Sequence, residues 1–252
     1  MRVTMYNYSQ KDSRIGMAFK KRWVRFWMHY AGLNAFGRIA TRLATWFALP
    51  HKASTYLAHL NPRGYIAPSA IIHHSELRLG TNILIGDRVI IYQAKNGGPV
   101  EIGDQVCILR DTVLETGYGG YISIGPTTWI HPRCQLNAYV APIEIGIGVD
   151  IGPNCAFYSY DHGFAPGKTI REQPLETKGG IIIGDHAWLG VGVTVLSGVH
   201  IGKGAVIGAG SVVTHDIPDD AIAVGRPARV IKMRSDLTRK DNMKSFLNDF
   251  KG

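Results

Sequence analysis

The feature that most constrains this chain is an apolar position recurring every six residues. The frame is clearest as Ile183, Leu189, Val195, Ile201, Ile207 and Val213. It extends backwards through Leu79, Ile85, Ile91; Ile102, Ile108, Leu114; Ile124, Ile130, Leu136; and Ile145, Ile151, Phe157. The next position played no part in choosing the frame. It is Gly after 10 of these 18 starts, where a content of 30 Gly in 252 residues gives about two. A sandwich of short strands has no reason to keep a period of six, whereas a coil with six-residue edges does.

The interruptions define the coil. Five extra residues separate 91 from 102, four separate 114 from 124, three separate 136 from 145, and twenty separate 157 from 183. Each follows a third hexad. Three hexads therefore predict one triangular turn of a β-helix, with every insertion leaving by one corner. Residues 18 apart then stack, Leu189 under Ile207 and Val195 under Val213, with coils about 4.8 Å apart. The Gly beside each start is assigned to a sharp corner where a Cβ would clash.

The ends differ from this body. Residues 13–49 read as two helices, one with a stripe of Trp23, Phe26, Trp27 and Tyr30, the other with Phe36, Ala40, Leu43 and Phe47. Ser235 is expected to cap a C-terminal helix with Met243, Phe246, Leu247 and Phe250 on one face. The expected organisation is a basic aromatic helical arm over 1–60, a β-helix over 61–233 with an excursion at 158–180, and a short helix over 234–252. The net charge of +9 belongs to the arm: residues 1–50 carry nine Lys/Arg and one acid, Asp12. The remainder is nearly neutral, which argues against a nucleic-acid-binding face on the body. For the arm, two readings stay open, packing on the body or a neighbouring subunit, and peripheral contact with an anionic membrane through residues 13–49.

Cys107, Cys134 and Cys155 are odd in number and widely spaced, which suits buried thiols in a reducing compartment. The first 30 residues lack the order of a secretory signal, and no apolar run reaches the roughly 18 residues of a spanning helix. A cytoplasmic protein is expected, with peripheral attachment at the inner face of the membrane as the open variant.

A regular prism offers little chemistry, so the candidate site lies where the repeat breaks. The longest break holds Asp161 and His162, and an imidazole suits proton transfer near neutral pH. Asn137 follows the last start of one triplet and His162 lies beyond the last start of the next, so both should emerge at one corner. Asp161 either orients the imidazole or faces solvent. No HExxH occurs and no metal site is expected. Gly190-Val191-Gly192 and Gly208-Ala209-Gly210 stack as a strip of nearly bare backbone, suited to an extended ligand such as the pantetheine arm of CoA. Arg226, Arg229 and Lys232 beyond it could meet phosphates.

The runs Gly184–Gly190, Val206–Thr214, Asp216–Pro218 and Gly225–Ile231 closely resemble the hexapeptide acetyltransferases. Within these the match is nearest to galactoside, maltose and nodulation O-acetyltransferases and to capsular or exopolysaccharide O-acetyltransferases. The resemblance covers about residues 66–233. It implies an all-β fold, a left-handed parallel β-helix, and a homotrimer with acyl-CoA between subunits. His162 then matches the catalytic histidine and Asn137 the active-site asparagine. CoA contacts carry over to Gly190, Val191, Ala209, Thr214, His215, Arg229 and Lys232. Val191 stands where relatives often have Ser or Ala, and His215 where they often have Lys. The expected activity is acetyl transfer from acetyl-CoA, without metal, to a sugar hydroxyl of a surface polysaccharide or its precursor. An N-acyltransferase acting on an amino sugar and a non-catalytic assembly β-helix are the rival expectations.

Overall fold

The computed structural model describes residues 14–48 and 51–237. Its body is a left-handed parallel β-helix of about 7 turns. Among the described residues, sheets of nine, seven and six strands form its three walls. Each wall stacks one member of every triplet. Leu79, Ile102, Ile124, Ile145, Ile183 and Ile201 lie in register on the six-stranded wall. Ile85, Ile108, Ile130, Ile151, Leu189 and Ile207 do so on the nine-stranded wall. Ile91, Leu114, Leu136, Phe157, Val195 and Val213 complete the seven-stranded wall. All but Leu79 are buried. Each such side chain contributes roughly 1.5–3 kcal/mol by leaving water.

The coil runs beyond the six-residue frame at both ends. Ile66 pairs with Ile85 and Ile72 with Ile91, while Ile217 bridges to Ile201 and Ala223 pairs with Ile207. Ile72 and Leu79 are seven apart, and Val213 and Ile217 four apart, so a strict period stops short of them.

The glycines after the starts serve a different purpose from the one expected. None of the ten has a positive φ. They are required because the next coil lies directly over them: a Cβ on Gly125 would sit 2.6 Å from the Gly146 carbonyl carbon, and one on Gly190 would sit 2.7 Å from the Ala209 nitrogen. The left-handed corner comes two residues later, at positions such as Asn82, Gln105, Gly148, His186 and Gly210. Glycine thus permits close stacking, and the corner itself accepts Asn, Asp, Arg or Gly.

Against the N-terminal end pack α1 (Arg14–His29) and α2 (Ala35–Thr45), followed by a 3-10 segment, His51–Leu60. Asn34 caps α2 by accepting from the Gly37 N–H at 2.7 Å. The buried faces are small and aliphatic: Val24, Met28 and Ala31 from the first helix and its end, Ala40 and Ala44 from the second. The aromatic stripes divide, with Trp27 packed against this cluster. Trp23 reaches the Leu43 carbonyl at 2.8 Å, but Phe26 and Phe36 are exposed. Of the expected C-terminal helix, Ser235 lies in a single 3-10 turn, Arg234–Asp236, and Met243, Phe246, Leu247 and Phe250 lie outside the described residues.

Candidate functional site

Two of the three corners are closed by the glycine-and-left-handed-residue device. The third, between the seven-stranded and six-stranded walls, is where the insertions leave. There the position after each start carries a side chain: Tyr92, Glu115, Asn137, Tyr158. Strand pairing aligns them, Tyr92 with Glu115, Glu115 with Asn137, and Asn137 with Tyr158. The insertions also lengthen the strands, so Val113–Gly117 and Gln135–Tyr139 run to five residues.

Asn137 is nearly buried, at 8% exposure. Its backbone carbonyl accepts from the Ser159 N–H at 3.2 Å, so the root of the long excursion is tied to Asn137 itself. Ser159 is fully buried and donates its hydroxyl to the Ala141 carbonyl at 2.6 Å. Thr177, at the far end of the excursion, donates to the Ser159 carbonyl at 2.7 Å. Both ends are thereby clamped to one coil.

Within the excursion, Asp161–His162 pairs antiparallel with Leu175–Glu176, placing His162 opposite Leu175. His162 is exposed at the surface of this hairpin, and the Tyr160 ring stands edge-on to it at 6.1 Å. The Asp161 carboxylate accepts from the buried Ser197 hydroxyl at 2.9 Å. That bond joins the hairpin to the next complete coil, so Asp161 serves to position the strand that carries His162. Ser197 escaped sequence reasoning because it lies 36 residues away with no motif around it. Its one signal is a small polar residue at a buried place just past a third start.

The glycine strip occupies a different corner, between the nine-stranded and seven-stranded walls. Gly190 and Gly208 are explained by stacking, since Cβ atoms there would meet Ala209 and Val224. Gly192 and Gly210 have φ near +69 and +68, and a Cβ on Gly192 would meet nothing within 4 Å. Val191 is 50% exposed, Ala209 is exposed, and the Ala209 peptide makes no hydrogen bond to the described residues. This open ledge, with exposed Arg226 and Arg229 nearby on the Ala221–Met233 hairpin, fits an extended thioester arm ending in phosphates. Arg226 braces the ledge through the Gly210 carbonyl at 2.5 Å.

The candidate CoA contacts therefore divide. Gly190, Val191 and Ala209 are on the ledge, and Arg229 and Lys232 are on the final strand, Ala228–Met233. Thr214 follows Val213 on the seven-stranded wall, at the corner used by Asn137, and lies 2.8 Å from the His215 Nδ1. One chain presents the ledge and the Asn137/His162 corner on opposite edges of the same wall. Among the described residues no cluster of His, Cys, Asp and Glu is arranged to hold a metal.

Comparison with known proteins agrees with this architecture. Residues 180–215 match the family described as bacterial transferase hexapeptide (six repeats). The galactoside O-acetyltransferase of Lactococcus lactis is 42% identical over 94 residues, 37% of this chain and 44% of that one. A Mycobacterium tuberculosis protein named as a probable acetyltransferase is 32% identical over 183 residues, 70% of this chain and 52% of that one. The chain spans about half the length of the curated relatives it matches. Among solved structures, a mutant of the N-acyltransferase AntD of Bacillus cereus, in complex with dTDP-4-amino-4,6-dideoxyglucose and coenzyme A, shares the fold. Its TM-score is 0.51 at 23% identity, over 71% of this chain and 90% of that one. In its repeat, its stacked walls and its sequence kin, the chain resembles the hexapeptide-repeat transferases, the family match itself lying in residues 180–215.

Proposed function

We propose that this protein transfers an acetyl group from acetyl-CoA to a sugar hydroxyl, with His162 as general base. The observation that carries the reading is the single corner where Asn137 sits in the wall and the His162 hairpin is anchored on Asn137's own carbonyl. In the reaction His162 takes the acceptor hydroxyl proton as that oxygen bonds to the thioester carbonyl carbon. The C–S bond breaks, and the departing thiolate regains a proton from His162. The Asn137 carboxamide, which has no hydrogen-bond partner among the described residues, is the candidate donor to the developing oxyanion. CoA lies along the ledge with its phosphates toward Arg229 and Lys232. Since ledge and corner occupy opposite edges of one wall, a homotrimer in which a neighbour's ledge faces this corner completes the site.

Hydroxyl rather than amine acylation is favoured by the Lactococcus lactis relative, whose name specifies O-acetylation. The test is thiol release from acetyl-CoA over sugars, amino sugars and lipid-linked glycans, with the product bond typed by alkaline lability. An alkali-labile ester is expected. An alkali-stable amide replaces the reading with N-acylation, and no release with any acceptor removes it.

The reading extends to a cytoplasmic protein held at the inner membrane face by the helical arm. Residues 14–48 contain seven Lys/Arg and no Asp or Glu, and Phe26, Phe36 and Trp46 are 56%, 58% and 71% exposed. The intact protein should float with phosphatidylglycerol vesicles and lose this on paired Phe36→Ser and Trp46→Ser substitution. Equal flotation of both forms ends the attachment idea.

A further inference from the structure

A file of tyrosines leads along the wall to His162. Tyr118, Tyr139 and Tyr160 come from three successive coils. Their ring centroids are 5.9 Å and 5.1 Å apart, and the last step, Tyr160 to His162, is 6.1 Å. The residues recur at intervals of 21, Tyr118 lying four places past its start and Tyr139 and Tyr160 three places past theirs. The file is sterically built. Tyr139 pairs with Gly117, and a Cβ on Gly117 would sit 2.6 Å from the Tyr139 ring, so that ring lies where only glycine leaves room. Tyr118 is 53% exposed, and Tyr139 and Tyr160 are half-buried.

A second file runs beside the first: Glu115, Asn137 and Tyr158, in direct register. The Tyr139 hydroxyl donates to Glu115 at 2.5 Å and the Tyr158 hydroxyl to Gln135 at 2.6 Å. Burial, with the Glu115 carboxylate adding to it, pushes the Tyr139 phenol up, and burial does the same to Tyr160. Both rings therefore remain neutral at ordinary pH. Aromatic rings tilted 40° and 43° to one another thus stand in one row, and hydrogen-bonding groups in the next.

That pairing of rows matches a glycan chain. A pyranose ring has a C–H face that packs on an aromatic ring and a rim of hydroxyls that needs polar partners. Its length along a chain is close to the coil repeat of about 4.8 Å. Isolated surface tyrosines would serve a single sugar; three in file, one per coil, serve consecutive residues of a chain. We propose that the Tyr118–Tyr139–Tyr160 file is an acceptor groove for an oligosaccharide, with the acetylated residue at His162 and two further residues on Tyr139 and Tyr118. This rests on the acetyl-transfer reading and narrows it to chain acceptors over free monosaccharides.

The test uses the full chain with acetyl-CoA and two probe series: galactose, β-galactobiose and β-galactotriose, and glucose, maltose and maltotriose. In at least one series kcat/KM should rise about tenfold from mono- to trisaccharide, the worth of one or two stacking contacts. Tyr118→Ala should collapse the trisaccharide-to-monosaccharide ratio toward one, and Tyr118→Trp should restore it. Tyr118 is exposed, so neither change endangers the fold. Equal kcat/KM along both series, a ratio untouched by Tyr118→Ala, or turnover confined to nucleotide-linked sugars overturns the groove while leaving acetyl transfer standing. No thiol release with either series, with amino sugars, or with nucleotide-linked or lipid-linked glycans removes the acetyl-transfer reading and the groove together.

Discussion

The corners after the nine-stranded and six-stranded walls contrast sharply with the corner after the seven-stranded wall. At the first two, backbone packing dictates the residues. Glycine follows ten of their twelve starts because the next coil covers it, Leu109 and His131 being the exceptions, and a left-handed residue turns the chain. At the third, Tyr92, Glu115, Asn137 and Tyr158 replace glycine, and insertions of three to twenty residues depart. Stacking demands so much of the first two corners that they carry little variable side-chain chemistry. The third is released from it, and the candidate acid–base group, the polar row and the tyrosine file all gather there. The bare ledge is the informative exception: it uses a constrained corner, and its usefulness comes from lacking side chains.

Substitutions at the two kinds of corner should fail in different ways. The largest effect is expected at the released corner. His162→Ala should lower turnover by a factor on the order of 10² while CoA affinity, measured by calorimetry, stays within about threefold. Near-normal turnover would separate the corner from the chemistry. Next comes a constrained position. Gly125→Ala puts a Cβ 2.6 Å from backbone atoms of Gly146 and should cost about 1–3 kcal/mol in urea unfolding. Gly119→Ala, in the released corner with nothing within 4 Å but φ +91, should cost about 1–2 kcal/mol through backbone strain alone. A Gly125→Ala cost below that of Gly119→Ala would make the distinction between the corners wrong. The smallest effect belongs to Ser197→Ala. Losing the bond to Asp161 should cost about 1 kcal/mol and lower turnover severalfold, with Ser197→Thr retaining part of it. Unchanged turnover together with unchanged stability would deny Asp161 its role in holding the hairpin.

Much of this was legible because a six-residue period is a one-dimensional property. Eighteen starts, the closing of three hexads into one coil and the common corner for insertions all follow from counting, and the strand registers agree with each. The shared corner of Asn137 and His162 follows from the same count. Counting failed where spacing changed, at the outer coils through Ile66, Ile72, Ile217 and Ala223, and it misassigned the glycines. A period records that glycine is present but not which atom would strike its Cβ.

The chain by itself determined the repeat, the walls, the released corner and the family likeness, since each depends on residues at fixed intervals. The tertiary structure alone decided that Asp161 binds Ser197, that Val24, Met28 and Ala44 bury against the body while Phe26 and Phe36 stay in solvent, and that three tyrosines line up toward His162. Those outcomes are set by distances between coils and helices. A local sequence pattern fixes which edge a residue occupies, and only packing fixes what its side chain reaches.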